Sequence, residues 1–430
     1  YLKISQNTAK IFKQQSFYHI RCVIIKMVIQ MKDIVIIGGG AAGLTAAIFA
    51  AKKGQKVTII ERNNTCGKKI LITGNGKCNF WNEDQNLTHY HSSNKECLSE
   101  IINEKTNKEV LSFFDSLGII PEIKNGYYYP FSNQATAIKN ALITEVQNLN
   151  IEILYNITVT EITKKDNFII NPNKENIEAQ KIIITTGSKA CPKTGSNGIG
   201  YTLAKSLGHQ IVPVYPALVQ LRGHETYFKK WAGIRTDAII TLYEDGQKIK
   251  EETGQIQLTD YGLSGICIFN LSSHVSKNIQ KHEEKISINF TPWIKENPEN
   301  WLINQNKKVK NRNIEELLEG FLNYKLIPII LKESGINQIK HLDNLSQTEI
   351  TKLAKNLTDF QVKITGTNTF NEAQVCAGGI PLTEINLKTM ESLKVKNLYF
   401  SGEILDVNGD CGGYNLSFAW TTGMLAGKNV

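Results

Sequence analysis

Three glycines spaced G-x-G-x-x-G, Gly38, Gly40 and Gly43, follow directly on the apolar run Ile34 to Ile37, and nothing else in the chain restricts its fold as much. An unbroken apolar run suits a strand buried on both faces of a parallel sheet. The alanine-rich stretch after it reads as a helix ending at Lys52, Lys53 and Gly54, with cations on its negative pole and glycine in the stop position. "KVTIIER" then returns as a second strand and completes a βαβ unit. In such a unit Gly38 permits the tight turn, Gly40 lets backbone approach a pyrophosphate, and Gly43 lets helix and strand pack closely. The first helical turn, with Ala41 and Ala42, presents unpaired N–H groups to the phosphates. Glu61 closes the second strand eighteen residues after Gly43, where an acid binds the adenosine ribose and disfavours a 2′-phosphate. Arg62 and Val159 are assigned to the same dinucleotide site.

That unit alone allows FAD or NAD(H). The stretch "CGKKILITGNGKCN" separates them, because a simple nicotinamide dehydrogenase would continue into further βα units, whereas here a second glycine loop follows at once. FAD is extended enough to need a second layer around its pyrophosphate and flavin. Lys69, Thr73, Gly74, Gly76, Cys78 and Asn79 are therefore assigned to a flavin clamp. "KIIITTGS" reads as an apolar strand with Thr186 and Gly187 at its dinucleotide end. "NLYFSG" is another, after which Gly402-Glu403 stands where Gly-Asp often meets a ribityl chain, with Asp406 just beyond. A last helix opens at Gly412-Gly413-Tyr414-Asn415. Its dipole, entering at Gly413 and Asn415, would stabilise anionic reduced flavin by about 1 kcal/mol. The glycines of "TGSNGIGY" lack the strand–helix frame of a second nucleotide fold and read as a crossover turn, so NAD(P)H is expected as a transient donor.

With 430 residues, 41% hydrophobic, the chain has room for two or three cores. Its formal charge of +9 is uneven: Lys3, Lys10, Lys13, Arg21 and Lys26 sit in residues 1–30 without an acid, leaving +4 for the rest. We read 1–30 as an upstream extension or leader, since "MKDIVIIGGG" starts a strand at once and "CVIIKMVIQ" is too short to span a bilayer. The cytoplasm is the expected compartment, with no stable membrane association. None of the eight cysteines forms a C-x-x-C pair, and His89 and His91 read as a polar loop, so no metal is expected.

Four blocks resemble, in order, a bacterial flavoprotein family: "GKKILITGNGKCN", "GYYYPFSNQA", "TTGSKACPKTGSNGIGYTLAKSLGH" and "GEILDVNGDCGGYNLSFAWTTGMLAG". That family includes aminoacetone oxidase-like enzymes and reductases of 3-dehydro bile acids, with a branch linked to dihydrouridine formation in ribosomal RNA. The likeness runs from Met31 to Val430. It departs at Lys77, where arginine is more usual, and at Ser417 and Phe418 in the last helix. The resemblance implies an α/β protein: a discontinuous Rossmann-like FAD-binding domain (31–190 and 376–430) and an inserted β-barrel-like cover (191–375) with a helical segment over about 290–360. Substrate identity is expected in that cover and the cleft below it.

The chemistry expected is hydride transfer through FAD, first as NAD(P)H-linked reduction of an activated double bond in a small molecule. An oxygen-using amine oxidase and a ribosomal-RNA uracil reductase are the alternatives, and a non-catalytic flavin-bound RNA-binding or redox-sensing protein is a different class. RNA phosphates would meet Lys307, Lys308, Lys310 and Arg312 of "NQNKKVKNRN". Tyr414, Cys411 and Asp406 are the candidates for supplying a proton after hydride delivery.

Overall fold

Ile34, Val35, Ile36 and Ile37 are at most 4% exposed, which puts strand β1 (Met31–Ile37) inside a sheet rather than at its edge. In this computed structural model, which describes residues 31–309 and 312–430, β1 pairs in parallel with β2 (Val57–Ile60) and with Ile177–Ile184. The expected leader 1–30 and Lys310 lie outside the described residues. Glu152–Leu154 extends the sheet beyond β2, and Leu398–Phe400 pairs in parallel with the Ile182–Ile184 end. Residues from the last part of the chain thus complete a sheet begun at Met31. Val159–Lys164 and Phe168–Pro172 continue it antiparallel. Burying each isoleucine of β1 contributes about 1.5–3 kcal/mol.

Helix α1 (Ala41–Lys52) packs on the C-terminal helix Tyr414–Asn429. Glycine makes the approach possible: a Cβ on Gly423 would lie 2.6 Å from the Ala42 carbonyl oxygen, and one on Gly427 2.3 Å from that of Ala46. The two helices run parallel, and the C-terminal one starts about two turns before the level of Ala42, so their N-termini are staggered by roughly 13 Å.

The inserted part is an antiparallel sheet in the order Phe360–Ile364, Glu284–Asn289, Arg235–Glu244, Gln247–Leu258, Gly262–Ser264, Leu221–Arg222, Gly366–Thr367. The two strands at opposite ends of that order are separated in the chain by Thr365 alone, whose N–H bonds to Arg222 O at 2.8 Å. A sheet whose edges are so joined has to roll up on itself. Helices Pro298–Lys308, Ile314–Leu318, Ile327–Ser334 and Gln347–Thr358 make up the helical insert. The β-rich part and this insert share one apolar core, running from Leu221 to Ile364, distinct from the core of the first sheet. Tyr201, Leu203 and Ala204, beyond the expected boundary at 190, pack in the first core. Between the two, the ribbon Val212–Ala217 with Val375–Gly379 carries the chain out and back. No helix among the described residues is long and apolar enough to cross a membrane.

Candidate active site

A cavity of about 690 Å³ opens where β1 ends, between the first sheet and the barrel. Gly38 makes the exit turn from β1 at φ +108°, and a Cβ there would lie 2.6 Å from the Thr185 carbonyl oxygen. Gly43 has a packing role, since its Cβ would meet the Gly38 oxygen at 1.9 Å; it stands behind the cavity wall. Gly40 is different: a Cβ there would meet nothing within 4 Å, so its backbone borders open space.

Helix α1 begins at Gly40 without a side-chain cap, and the C-terminal helix begins at Gly413 equally uncapped. Ala41 and Ala42 of the first and Gly413 and Asn415 of the second line the cavity. Two positive helix ends with free N–H groups face the same space, which suits an anion.

Glu61 forms the adenosine end. It is 6% exposed, and its carboxylate accepts from Gly39 N, Asn63 N and Asn63 Nδ2, each at 2.8 Å. A carboxylate has about four acceptor sites, which leaves room for a ribose hydroxyl. Arg62 donates to Gly195 O at 3.2 Å and Asn63 Nδ2 to Thr194 O at 3.1 Å. The "TGSNGIGY" turn is therefore tied down as a wall of this end, and Val159 lines the same cavity.

The second glycine loop runs along the other side. Thr73, Gly74 and Asn79 line the cavity, as do Thr186 and Gly187. Lys69 Nζ lies 2.6 Å from Glu403 Oε2, while Ser188 Oγ and Cys376 N donate to Glu403 Oε1 at 2.6 and 3.2 Å. Gly402 and Glu403 thus sit on the wall as a junction of four segments.

Four assignments made from sequence need correction. Cys78 is fully buried behind the loop, with its thiol pushed up to about 12 by burial, and Gly76 is exposed to solvent; neither lines the cavity. Asp406 is 4% exposed and accepts from Ser93 N at 3.0 Å; it anchors that loop and does not reach the cavity, so neither the cofactor nor the catalytic assignment holds. Burial raises its pKa. Tyr414 turns inward, its ring stacked on His89 at 4.5 Å and edge-on to Tyr90 at 5.6 Å. Cys411 does line the cavity, its thiol pushed up to about 12 by burial and the Asp410 and Glu252 charges. Ser417 and Phe418 are buried off the wall, whereas Lys77 borders it.

Other wall residues went unassigned. Tyr127 and Tyr129 face the cavity while Tyr128 packs its edge on Phe80, an alternation of period two within "GYYYP" that could have been read. Asp410 also lines it, held by His91 Nε2 at 2.9 Å and His89 Nδ1 at 3.2 Å. From the inserted part come Leu218, just before the strand Leu221–Arg222, and Ile266 and Phe269 on the helix Ile266–Asn278, for which no local sequence signal exists.

The site fits FAD on its own geometry. Asn79 Oδ1 and Thr186 Oγ1 are buried on the wall without a partner among the described residues, in a chain whose other polar groups are mostly satisfied. With two uncapped helix ends and the open space at Gly40, they form a cradle for an extended dinucleotide. Gly38, Gly40, Ala41 and Ala42 would hold the pyrophosphate, Glu61 the adenosine ribose, and Gly413 and Asn415 the flavin. Among the described residues no group of three or more His, Cys, Asp or Glu side chains is arranged to hold a metal.

A sequence profile of the HI0933-like protein Rossmann domain matches residues 32–429. The chain is 38% identical over 403 residues to a 3-dehydro-bile acid Δ4,6-reductase of Clostridium scindens, covering 93% of this chain and 98% of that one. It is 28% identical to a ribosomal RNA dihydrouridine synthase of Escherichia coli, again over 93% and 98% of the two chains. Among solved structures, a 3-ketosteroid-Δ4-(5α)-dehydrogenase of Rhodococcus jostii aligns with 94% of this chain and 98% of its own at 13% identity and a TM-score of 0.47. With a matching profile over almost the whole described chain, the protein belongs to the HI0933-like family and is an FAD-dependent oxidoreductase.

Proposed function

We propose that the protein reduces an activated carbon–carbon double bond in an apolar, ring-containing small molecule, with NAD(P)H as the transient electron donor. The observation that carries this reading is the barrel side of the cavity. Leu218, Ile266, Phe269 and Val375, together with Tyr127 and Tyr129, line the cavity and give a predominantly apolar surface suited to a flat hydrocarbon skeleton. The likeness to a reductase of 3-dehydro bile acids, at 38% identity over nearly both chains, points to the same substrate class.

FAD, when bound, supplies the hydride. This chain's residues would hold it from both helix ends, with Leu218, Phe269 and Val375 lining the space beside it. The Cys376 N–H donates to the Glu403 carboxylate at 3.2 Å and ties the Val375–Gly379 ribbon to the flavin side. We place the reaction in the cytoplasm, in keeping with seven cysteines that are all free among the described residues.

The test is anaerobic. Reduction of the bound flavin by NADH or NADPH is followed by addition of a 3-oxo-4,6-diene bile acid, and the product is weighed by mass spectrometry. Gain of two hydrogens supports the reading. Oxygen-dependent turnover of an amine, or dihydrouridine in ribosomal RNA that depends on this protein, would replace it.

A further inference from the structure

We infer that Tyr127 delivers the proton of the reaction and that Asp410, His89 and Asp84 form the path that restores it from solvent. The inference rests on the double-bond reduction proposed above. In that reaction the β-carbon accepts a hydride, the π electrons move to the α-carbon, and the α-carbon takes a proton. Two C–H bonds form and one π bond is lost. The hydride is FAD's contribution, renewed by a reduced nicotinamide; the proton has to come from the protein or water.

Tyr127 is placed for this. Its strand, Tyr127–Pro130, presents it to the cavity, and glycine at 412 leaves room for its ring: a Cβ there would lie 2.7 Å from Tyr127 Cε1. Burial, and then the charges of Cys411, Glu252 and Asp410, raise its pKa, so the phenol stays protonated through the neutral range. A phenol is still far more acidic than the saturated carbon acid being formed, so transfer to an enolate carbon runs downhill.

Asp410, two residues before Gly412 and on the same cavity wall as Tyr127, starts a chain of titratable groups leading outward. Asp410 is on the cavity wall with its side chain 9% exposed. His89 bridges two carboxylates, with Nδ1 at 3.2 Å from Asp410 Oδ2 and Nε2 at 3.1 Å from Asp84 Oδ2. The Asp84 side chain is 63% exposed. An imidazole between a buried and a solvated carboxylate can take a proton on one nitrogen and release it from the other.

The other groups facing Asp410 are His91 at 2.9 Å and Lys250 at 3.5 Å, with Glu252 held by Lys250 at 2.8 Å and His274 beside His91. Burial works to raise the Asp410 pKa, but His91, Lys250 and His89 outweigh it and hold the group below the ordinary carboxylate value. Asp410 is thus an anion at rest, able to pass a proton inward without retaining it.

The experiment follows flavin reoxidation in pre-reduced protein mixed anaerobically with a 3-oxo-4,6-diene bile acid. It compares Tyr127→Phe, Cys411→Ala, His89→Gln and the parent chain in H2O and D2O, alongside an NMR spectrum of the His89 ring protons in the parent chain and in Asp410→Asn. Tyr127→Phe is expected to slow reoxidation at least 100-fold with FAD content unchanged, and His89→Gln to slow it about tenfold and flatten its pH profile. In that spectrum the His89 Nδ1 proton, hydrogen-bonded to Asp410, should give a resonance protected from solvent exchange, and Asp410→Asn should remove it. Full activity in Tyr127→Phe with loss in Cys411→Ala would overturn the assignment. A parent chain inert to the dienone would defeat the substrate reading instead. The path then stands or falls by that resonance: a His89 Nδ1 proton indifferent to Asp410→Asn overturns it.

Discussion

Lys69 Nζ lies 2.6 Å from Glu403 Oε2, joining segments 334 residues apart in the chain. This pair fixes the second glycine loop to the C-terminal half of the FAD-binding domain, so the cradle for the cofactor is closed by an ion pair as well as by the sheet. Both side chains are partly shielded, at 25% and 17% exposure. Glu403 also holds Ser188 and Cys376, so loss of Lys69 leaves a carboxylate with two donors rather than none. A double-mutant cycle with Lys69→Met and Glu403→Gln should give a coupling of about 1 kcal/mol in thermal stability of the apoprotein. A larger loss should appear in FAD retention than in stability. Equal losses in both would show the pair to be structural only.

Gly40 and Gly38 should respond oppositely to substitution. Gly40 has extended backbone, φ −83° and ψ −165°, and faces empty space, so Gly40→Val folds normally but fills the room of the pyrophosphate. Its Kd for FAD should rise about 100-fold or more, roughly 3 kcal/mol, at unchanged Tm. Gly38→Ala puts a Cβ 2.6 Å from a backbone oxygen at φ +108° and should lower the Tm of the apoprotein itself. FAD titration and thermal melts of both variants check this pair of outcomes.

Glu61→Ala combines the two effects. It removes a ribose acceptor and leaves the Gly39 and Asn63 donors unsatisfied in a buried corner. The apoprotein should lose about 2–4 kcal/mol by chemical denaturation, and FAD affinity should fall further. Unchanged stability would mean that water replaces the carboxylate there.

The βαβ unit was legible because everything that specifies it is local: an apolar run, three glycines at fixed spacing and an acid at the end of the next strand. The flavin end was legible only in part. Tyr414, Asp406 and Cys411 are neighbours in sequence, but Asp406 and Cys411 precede the helix, and within it each residue turns its side chain by about 100° from the last. Asn415, Leu416 and Ala419 consequently meet the cavity while Tyr414, Ser417 and Phe418 turn into the core. Leu218, Ile266 and Phe269 reach the site only because the barrel is set down over it. That placement depends on contacts between two distant cores, and no periodicity in the sequence encodes it.

A buried carboxyl in the barrel should give the protein a stability that falls with pH. Glu284 is 1% exposed, and burial, with the neighbouring Glu244 charge second, pushes its pKa from the ordinary 4.5 up to about 7. The folded state therefore favours the neutral acid. The stabilisation is complete below pH 4.5 and is lost as pH rises through about 7, a loss of about 3 kcal/mol. His282, raised by its hydrogen bond to Asp245, acts in the same direction. Glu284→Gln should remove most of the decline and be the more stable protein at pH 8, as melts from pH 5 to 8 would reveal. A parent Tm that stays level over that range would refute it.

The basic segment of the helical insert separates the two substrate classes represented among the relatives. Lys307, Lys308 and Arg312 are exposed, and none of them lines the cavity. If the substrate is a small apolar molecule, the triple change to glutamine touches nothing the reaction uses. The rate of dienone reduction should then stay within about twofold of the parent at any salt concentration. An RNA substrate would behave otherwise. Each phosphate contact removed would reduce the dependence of log affinity on log salt by roughly 0.7 for single strands, and uracil reduction would fall with it. The apolar slot of Leu218, Ile266 and Phe269 supports the first outcome, because a polar base carried on a phosphate backbone would leave that surface without a partner. Measuring both activities on the same variant decides between them, since a surface serving RNA alone can change one without changing the other.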